Sequence, residues 1–258
     1  MIKAIFFDID GTLVSFKSHR MSDRLKDCLD ELRARGVKLF ISSGRHVLVM
    51  NNLDSYPFDG YIAMNGALTI LEGKTIDSRP LPKEISSQVA RIATEVGVPC
   101  WSFADSIVGI NFENGKSEEV SRQLNFFPEN FLDLDEVAHN HDVFHYTIYM
   151  TLEEEATYLH PALSGVDYQR WHPYFTDIVP AGLSKSYGAS LILERLGLTP
   201  EECMAFGDGG NDIPIIEYSG IGVAMGNATP DVKAAADYVT DSVDEDGIIS
   251  ALRHFGVI

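Results

Sequence analysis

The sequence predicts an α/β protein built on a parallel sheet, with one domain divided by an insert. Three observations carry that prediction. Ile5-Phe6-Phe7 is a short, wholly apolar run, as expected of a strand buried on both faces, and it stops abruptly in Asp8-Ile9-Asp10-Gly11-Thr12. Apolar runs then alternate with helical spacing up to about residue 80, and the same rhythm returns from residue 183. Joints bearing proline or glycine, Arg79-Pro80-Leu81-Pro82 and Val179-Pro180-Ala181-Gly182, bracket the interruption. The expected division is 1–81 with 181–258 as one domain, and 82–180 as an inserted α/β lobe.

Each element follows from its pattern. Leu25, Cys28, Leu29 and Leu32 have helical spacing, with Ser22 as the N-cap and Gly36 as the stop. Residues 37–42 read as a second strand ending in Ser43-Gly44-Arg45, a helix is expected to follow through Leu53, and 60–64 is a third strand. Asn65-Gly66 is a turn that opens a hairpin. In the insert, a helix to Gly97 precedes strands around Trp101 and over 107–112, a helix over 116–124, a strand over 143–150 and a helix over 152–159. Strands near Tyr168 and Thr176 complete it. The last third reads as helix 184–196, strand 203–206, a helix from Asn211, strand 221–224 and a terminal helix over 247–255, preceded by the acidic start Asp244-Glu245-Asp246.

Composition narrows the function. The chain has 258 residues, 45% of them hydrophobic, enough for a sizeable core. Its net charge of −18 repels nucleic acid and anionic membrane surfaces, so a bound phosphate needs local positive groups or a metal. Cys28, Cys100 and Cys203 are scattered and odd in number, which points to reduced thiols and a cytoplasmic location. The N-terminus reaches Asp8 too soon for a signal peptide, and no apolar run approaches membrane-spanning length.

The chemistry gathers at predicted strand ends. Side chains two apart on an extended chain point the same way, so Asp8 and Asp10 share one side and repel each other unless a cation or proton intervenes. Ser43 and Asn65 also fall at strand ends, where ligands of parallel sheets bind. The run Cys203 to Asp212 repeats the opening design: an apolar strand ends in Asp208, glycines turn the chain, and Asn211 and Asp212 begin a helix. Asp208 and Asp212 read either as turn and capping residues or as hard oxygen ligands completing a Mg²⁺ site with the Asp8 pair. Lys185, alone at a helix start, reads by itself as a solvated surface lysine. His139, His141 and His145 read as ordinary loop histidines, since no cysteine or acidic-ligand pattern accompanies them.

Together these motifs resemble the haloacid dehalogenase (HAD) superfamily, specifically its Cof-type sugar-phosphate phosphatases. Asp8-Ile9-Asp10-Gly11-Thr12 is similar to the family's nucleophile motif, Ser43-Gly44-Arg45 to its hydroxyl motif, Lys185 to its lysine motif, and Gly207 to Asp212 to its acidic motif. Asn65-Gly66-Ala67 and Gly222 to Ala228 are also typical of Cof-type members. Ser43 stands where the family usually has threonine, which keeps the hydroxyl. The resemblance implies a HAD-like Rossmannoid core with an inserted α/β cap. It implies Asp8 as nucleophile, Asp10 as acid and base, and Mg²⁺ held by the Asp8 side chain, the Asp10 carbonyl and Asp208. It further implies that Lys185, Ser43, Gly44 and Asn211 bind phosphate, with Asp212 orienting Lys185 or a metal-bound water, and Arg45 and Asn65 in support.

The expected substrate is a small soluble phosphate ester, a sugar phosphate in the first place. A phosphomutase is the nearest rival, because related capped enzymes use the same acid pair to move phosphate within a sugar. An idle binding protein on the same fold is the rival of another class, and its mark would be loss of Asp8, Asp10, Lys185 or Asp208, all of which are present. In the insert, Trp101, Trp171, His172, Tyr174 and Phe175, with Asp105 and Asp177, are the candidates to meet a sugar. The plain alternative is that these aromatics mainly pack the lobe's own core.

Overall fold

The computed structural model describes residues 1–124 and 126–258, with the side chain of Trp171 excepted. The chain forms two compact units, Met1–Ser78 with Leu183–Ile258, and Arg79–Gly182. Their boundaries fall within three residues of Pro80 and Pro180.

The first unit starts with β1 (Ala4–Phe7), α1 (Asp23–Ala34), β2 (Lys38–Ser42), β3 (Gly60–Ala63), β4 (Leu68–Leu71) and β5 (Lys74–Ser78). The insert supplies α2 (Lys83–Val96), β6 (Cys100–Ala104), β7 (Val108–Ile110), α3 (Gly115–Leu124), α4 (Leu134–Asn140), β8 (Val143–Ile148), α5 (Leu152–Tyr158), β9 (Val166–His172) and β10 (Phe175–Pro180). The chain then returns to the first unit through α6 (Lys185–Leu196), β11 (Cys203–Gly207), α7 (Ile213–Tyr218), β12 (Ile221–Ala224), α8 (Pro230–Ala235), β13 (Tyr238–Val239) and α9 (Gly247–His254).

The first unit's sheet runs β13-β12-β11-β1-β2-β3-β4-β5, parallel as far as β3 and antiparallel through β4 and β5. β1 lies inside it, which explains why its sequence does not alternate. Ile5 and Phe7 pack into the core beneath α1 and α9, while Ala4 and Phe6 pack on the other face beside α6. Phe7 stacks on Phe206 and Phe6 on Phe40, centroids 5.3 and 5.0 Å apart. Each such fully buried ring stabilises the fold by about 1.5–3 kcal/mol. Ser22 caps α1 by accepting from the Leu25 amide at 3.1 Å.

In the second unit the sheet order is β7-β6-β8-β10-β9, all pairs antiparallel. Tyr146, Ile148 and Ile178 point into a core with α2 and α4. His145, Thr147 and Asp177 occupy the alternate positions and so share the opposite face.

Three expectations need correction. The helix expected through Leu53 is a single 3-10 turn, Val47–Val49. β-branched residues dominate that turn, and Asp54 and Ser55 take left-handed backbone before Tyr56-Pro57. Of the three histidines only His141 is in the loop, just after α4: His139 lies in the last turn of that helix, and His145 is buried in β8. The signal for α4 was Asp133, whose carboxylate accepts from the amides of Asp135 and Glu136. Lys185 is not at the surface. It is fully buried.

Candidate active site

Ligand-binding groups of a parallel sheet collect where the strands end, because backbone amides and turns open there. Asp8, Ser43 and Asp208 directly follow the last residues of β1, β2 and β11, and Asn65 comes two residues after the end of β3. The ladder carries this alignment past the strands. The Asp8 amide donates to Phe206 O at 3.0 Å, Ser43 N to Ile62 O at 2.8 Å, and Asn65 N to Ser43 O at 3.1 Å.

Lys185 is the hub. Ser184 caps α6, and the first residue of that helix sends its ammonium to Asp8 Oδ1 at 2.6 Å and Asp212 Oδ1 at 2.5 Å. Burial alone would strip this charge, yet the two carboxylates outweigh it and hold Lys185 above its ordinary pKa. Asp212 is saturated on both sides: its Oδ2 accepts from the amides of Asp208 and Gly209 at 3.1 and 3.0 Å. Asp8 is only 8% exposed. Burial, reinforced by Asp212 and Asp10, lifts its pKa well above the usual range against the pull of Lys185.

Asp208 is placed by its neighbours. Thr12 Oγ1 donates to its Oδ1 at 3.3 Å and Asn227 Nδ2 to its Oδ2 at 3.1 Å. Gly11, at φ +82°, makes room: a Cβ there would stand 2.1 Å from Asp208 Oδ2. Burial, with Asp212 beside it, pushes Asp208 up to about 6, although Lys185, Thr12 and Asn227 work the other way.

Carboxylate oxygens of Asp8, Asp208 and Asp212 lie within 4.8 Å of one another. Three largely buried acids face a single ammonium there, which leaves negative charge uncompensated. The donors are hard oxygens, the kind that divalent cations such as Mg²⁺ or Mn²⁺ take. The cluster therefore fits a divalent metal, the type of ion that HAD phosphatases generally use.

The Asp10 carboxylate does not join this cluster. It forms a two-pronged pair with Arg45, and the Arg45 amide donates to Ser43 Oγ at 3.1 Å. Asn211 Nδ2 donates to Asn65 Oδ1 at 3.0 Å, linking the ends of β11 and β3. Gly44 packs beside Asn65 and Asn211. Asp8, Asp208, Asp212 and Lys185 thus come together, with a second group of Asp10, Arg45 and Ser43 and a third of Gly44, Asn65 and Asn211.

Sequence reasoning gave no role to Thr12 or Asn227. Both sit just past strand ends, which was the available signal.

In the second unit the candidates separate. Asp177 accepts from Thr147 Oγ1 at 2.6 Å and lies 3.0 Å from His145 Nε2, beside the stacked rings of Phe103 and His145. Asp105 pairs with His141 at a corner, 2.9 Å apart. His172 and Tyr174 flank the β9–β10 turn, and Phe175 is buried. The Trp171 side chain lies outside the described residues.

Acids gathered at the ends of parallel strands around one buried lysine from a helix start suit phosphoryl transfer, and the chain belongs to the haloacid dehalogenase-like hydrolases, whose family profile matches residues 5–252. Within that family it is a HAD-type phosphatase acting on small phosphate esters. It is 33% identical over 258 residues to YkrA of Bacillus subtilis, a protein named as a candidate phosphatase, covering 99% of this chain and 98% of that one. A solved sugar phosphatase of HAD subclass IIB is 39% identical, with a TM-score of 0.88 and 99% and 100% coverage. A HAD-superfamily phosphatase of Bacteroides thetaiotaomicron is 37% identical, with a TM-score of 0.90 and 100% and 96% coverage. These neighbours include the Cof-type class that the sequence resembles. No helix among the described residues is long and apolar enough to cross a membrane.

Proposed function

We propose that the chain hydrolyses sugar phosphates with Mg²⁺ through an aspartyl-phosphate on Asp8. The observation that carries this reading is the buried contact of Lys185 with Asp8 Oδ1, which fixes one oxygen and leaves the other for attack. Phosphate-monoester hydrolysis needs its barrier lowered by roughly 20 kcal/mol. Splitting it into two displacements at phosphorus is one way to do so.

In the first displacement the second Asp8 oxygen bonds to phosphorus, the bond to the alcohol oxygen breaks, and Asp10 gives that oxygen its proton. In the second, Asp10 takes a proton from water, the water oxygen bonds to phosphorus, and Asp8 leaves as carboxylate. Lys185 spreads positive charge over Asp8 and the phosphoryl oxygens, while Ser43, the Gly44 amide and Asn211 donate hydrogen bonds to phosphate. The Asp8 and Asp208 side chains and the Asp10 carbonyl would hold Mg²⁺, and bound there it neutralises the repulsion between carboxylates and phosphate. Asp212, with both oxygens occupied, orients Lys185.

The sugar assignment rests on the second unit and on the named activity of the subclass IIB neighbour. Trp101, Thr147 and Asp177 stand in register across β6, β8 and β10, joined by Gln169 on β9. Trp101 is buried against Phe103 and Phe126 and backs this row, and polar groups of the row suit the hydroxyls of a sugar. The buried, unpaired thiols support a reducing cytoplasm as the location.

A screen of phosphate monoesters with Mg²⁺, reading both free phosphate and any isomerised sugar phosphate, tests the reading. Release of phosphate from hexose or pentose phosphates, abolished by chelation and by Asp8→Asn in a folded protein, is the expected result. Product that stays phosphorylated would mean a mutase, and activity surviving in Asp8→Asn would end the covalent route.

A further inference from the structure

The loop after β12 does something that its sequence does not announce. Met225 N donates to Gly207 O and Gly226 N to Asp241 O, both at 3.0 Å, which clamps the loop between two neighbours. Gly226 permits that approach, since a Cβ there would stand 2.6 Å from Ser242 N. The next side chain, Asn227, bridges three segments. Its Nδ2 donates to Gly11 O at 2.8 Å and to Asp208 Oδ2 at 3.1 Å, and its Oδ1 accepts from Val243 N at 2.9 Å. An asparagine amide has two N–H groups, so each serves one acceptor. The opposite amide orientation would turn an oxygen on two acceptors and is excluded by the same contacts.

We propose that Asn227 is a positioning residue for the Asp208 carboxylate, holding it in the orientation in which it takes the divalent cation. The proposal rests on the metal reading given above. Asp208 has one neutral donor on each oxygen, Thr12 on Oδ1 and Asn227 on Oδ2. Neutral donors hold a carboxylate without cancelling its charge, whereas a lysine in either place would compete with a cation. Asn227 also ties Asp208 to the Gly11 carbonyl, so the turn after the nucleophile and the metal-binding acid are held by one amide. Partners of this outer kind typically change metal affinity by about 10–100-fold when removed.

A purely structural role is the competing account, in which Asn227 only tethers the turn at Val243. Asn227→Asp separates the two. The aspartate keeps an oxygen for the Val243 amide but presents another to Gly11 O and Asp208, replacing two attractions by repulsion. Mg²⁺ titrations of the full chain, read as the rise in melting temperature and separately by calorimetry, give affinity without reference to activity. Parent protein should be stabilised by Mg²⁺. Asn227→Asp should need about tenfold more Mg²⁺ or greater, Asn227→Ala an intermediate excess, and Asn227→Ser, which retains a donor, should fall nearest the parent. Should the aspartate variant fail to fold, the alanine and serine pair carry the same comparison. Equal or tighter Mg²⁺ binding in the folded variants overturns the role of Asn227. Absence of any Mg²⁺ effect on the parent overturns the metal reading itself, and the proposal with it.

Discussion

Arg45 holds Asp10 by both carboxylate oxygens, with Nε 2.5 Å from Oδ2 and Nη2 2.9 Å from Oδ1. The guanidinium is anchored in turn, because Nη1 donates to Val49 O at 3.2 Å. Such a fork matches the two oxygens of an ionised carboxylate, with which charge-assisted hydrogen bonds are strongest. On the proposed mechanism Asp10 works from within this fork, so loss of Arg45 should be felt at the step in which Asp10 serves the departing alcohol. Arg45 is thus more than a neighbour of the hydroxyl motif: it sets where Asp10 rests.

The first prediction follows from that contact. Arg45→Met should lower kcat/KM for alkyl phosphates by about 10²-fold, within the range ascribed to general acid–base catalysis. Activated aryl phosphates, whose leaving groups need little protonation, should lose far less. Arg45→Lys keeps the charge but not the fork and should fall between. Parallel kinetics on a sugar phosphate and an aryl phosphate check this, and equal losses on both would show that Arg45 serves phosphate binding and not Asp10.

The second concerns Lys185. Its ammonium is fully buried between Asp8 and Asp212, so removing it strands carboxylates away from water. Lys185→Met should destabilise the metal-free protein by about 3–5 kcal/mol, measured by urea unfolding, and abolish turnover. Adding Asp212→Asn should restore part of the stability and none of the turnover. Simple additivity of the two changes in unfolding free energy would refute the coupling.

How much of this could be read from the chain varies with the kind of feature. Burial on both faces of β1 was legible, because a strand inside a parallel sheet has no solvent side and Ile5-Phe6-Phe7 shows none. The ends of β1, β2 and β11 were legible because apolar runs stop there at Asp8, Ser43 and Asp208. The depth of Lys185 was not, since burying a lysine requires two carboxylates from distant segments and no local pattern records them. Asn227 escaped for the same reason: its partners lie 216 and 19 residues away. At Val47–Val49 the apolar spacing suits a helix, but β-branched residues and the left-handed turn at Asp54 and Ser55 oppose one, and only a single turn forms.

The third prediction concerns pH without metal. Asp208 sits at about 6 in the folded protein against an ordinary 3.8, so the folded state holds that proton more tightly. The stability this group contributes is full below about pH 4 and lost as pH rises through about 6. Above neutrality its charge weakens the metal-free fold by up to about 2–3 kcal/mol. Asp208→Asn should therefore melt higher than the parent at pH 8, with the gap closing towards pH 4. Mg²⁺ should raise the parent's melting temperature at pH 8 and do so much less for the variant. A gap that is constant from pH 4 to 8 would show that burial of this acid is not what strains the site.

The last prediction concerns the insert. Helices α2 and α4 cover one face of its sheet, and the other face carries a buried row: Trp101, Thr147 and Asp177 in register, with His145 beside Asp177 and Phe126 against Trp101. Thr147 already donates to Asp177, so the row is preorganised and not assembled on demand. Preorganised polar groups beside aromatic rings discriminate strongly, because a ligand lacking the right hydroxyl leaves them unmatched. Asp177→Asn keeps shape while removing charge and should reorder the preference among sugar phosphates, changing kcat/KM about tenfold or more for the best substrate. Hydrolysis of a small aryl phosphate, which has no hydroxyls to read, should stay within about twofold, and the Mg²⁺ dependence should be unchanged. Thr147→Val should move the ranking in the same direction by a smaller amount, since it removes only the donor to Asp177. A uniform drop across all substrates would mean that the row serves the lobe's stability, and a matching fall in its melting temperature would identify that cause.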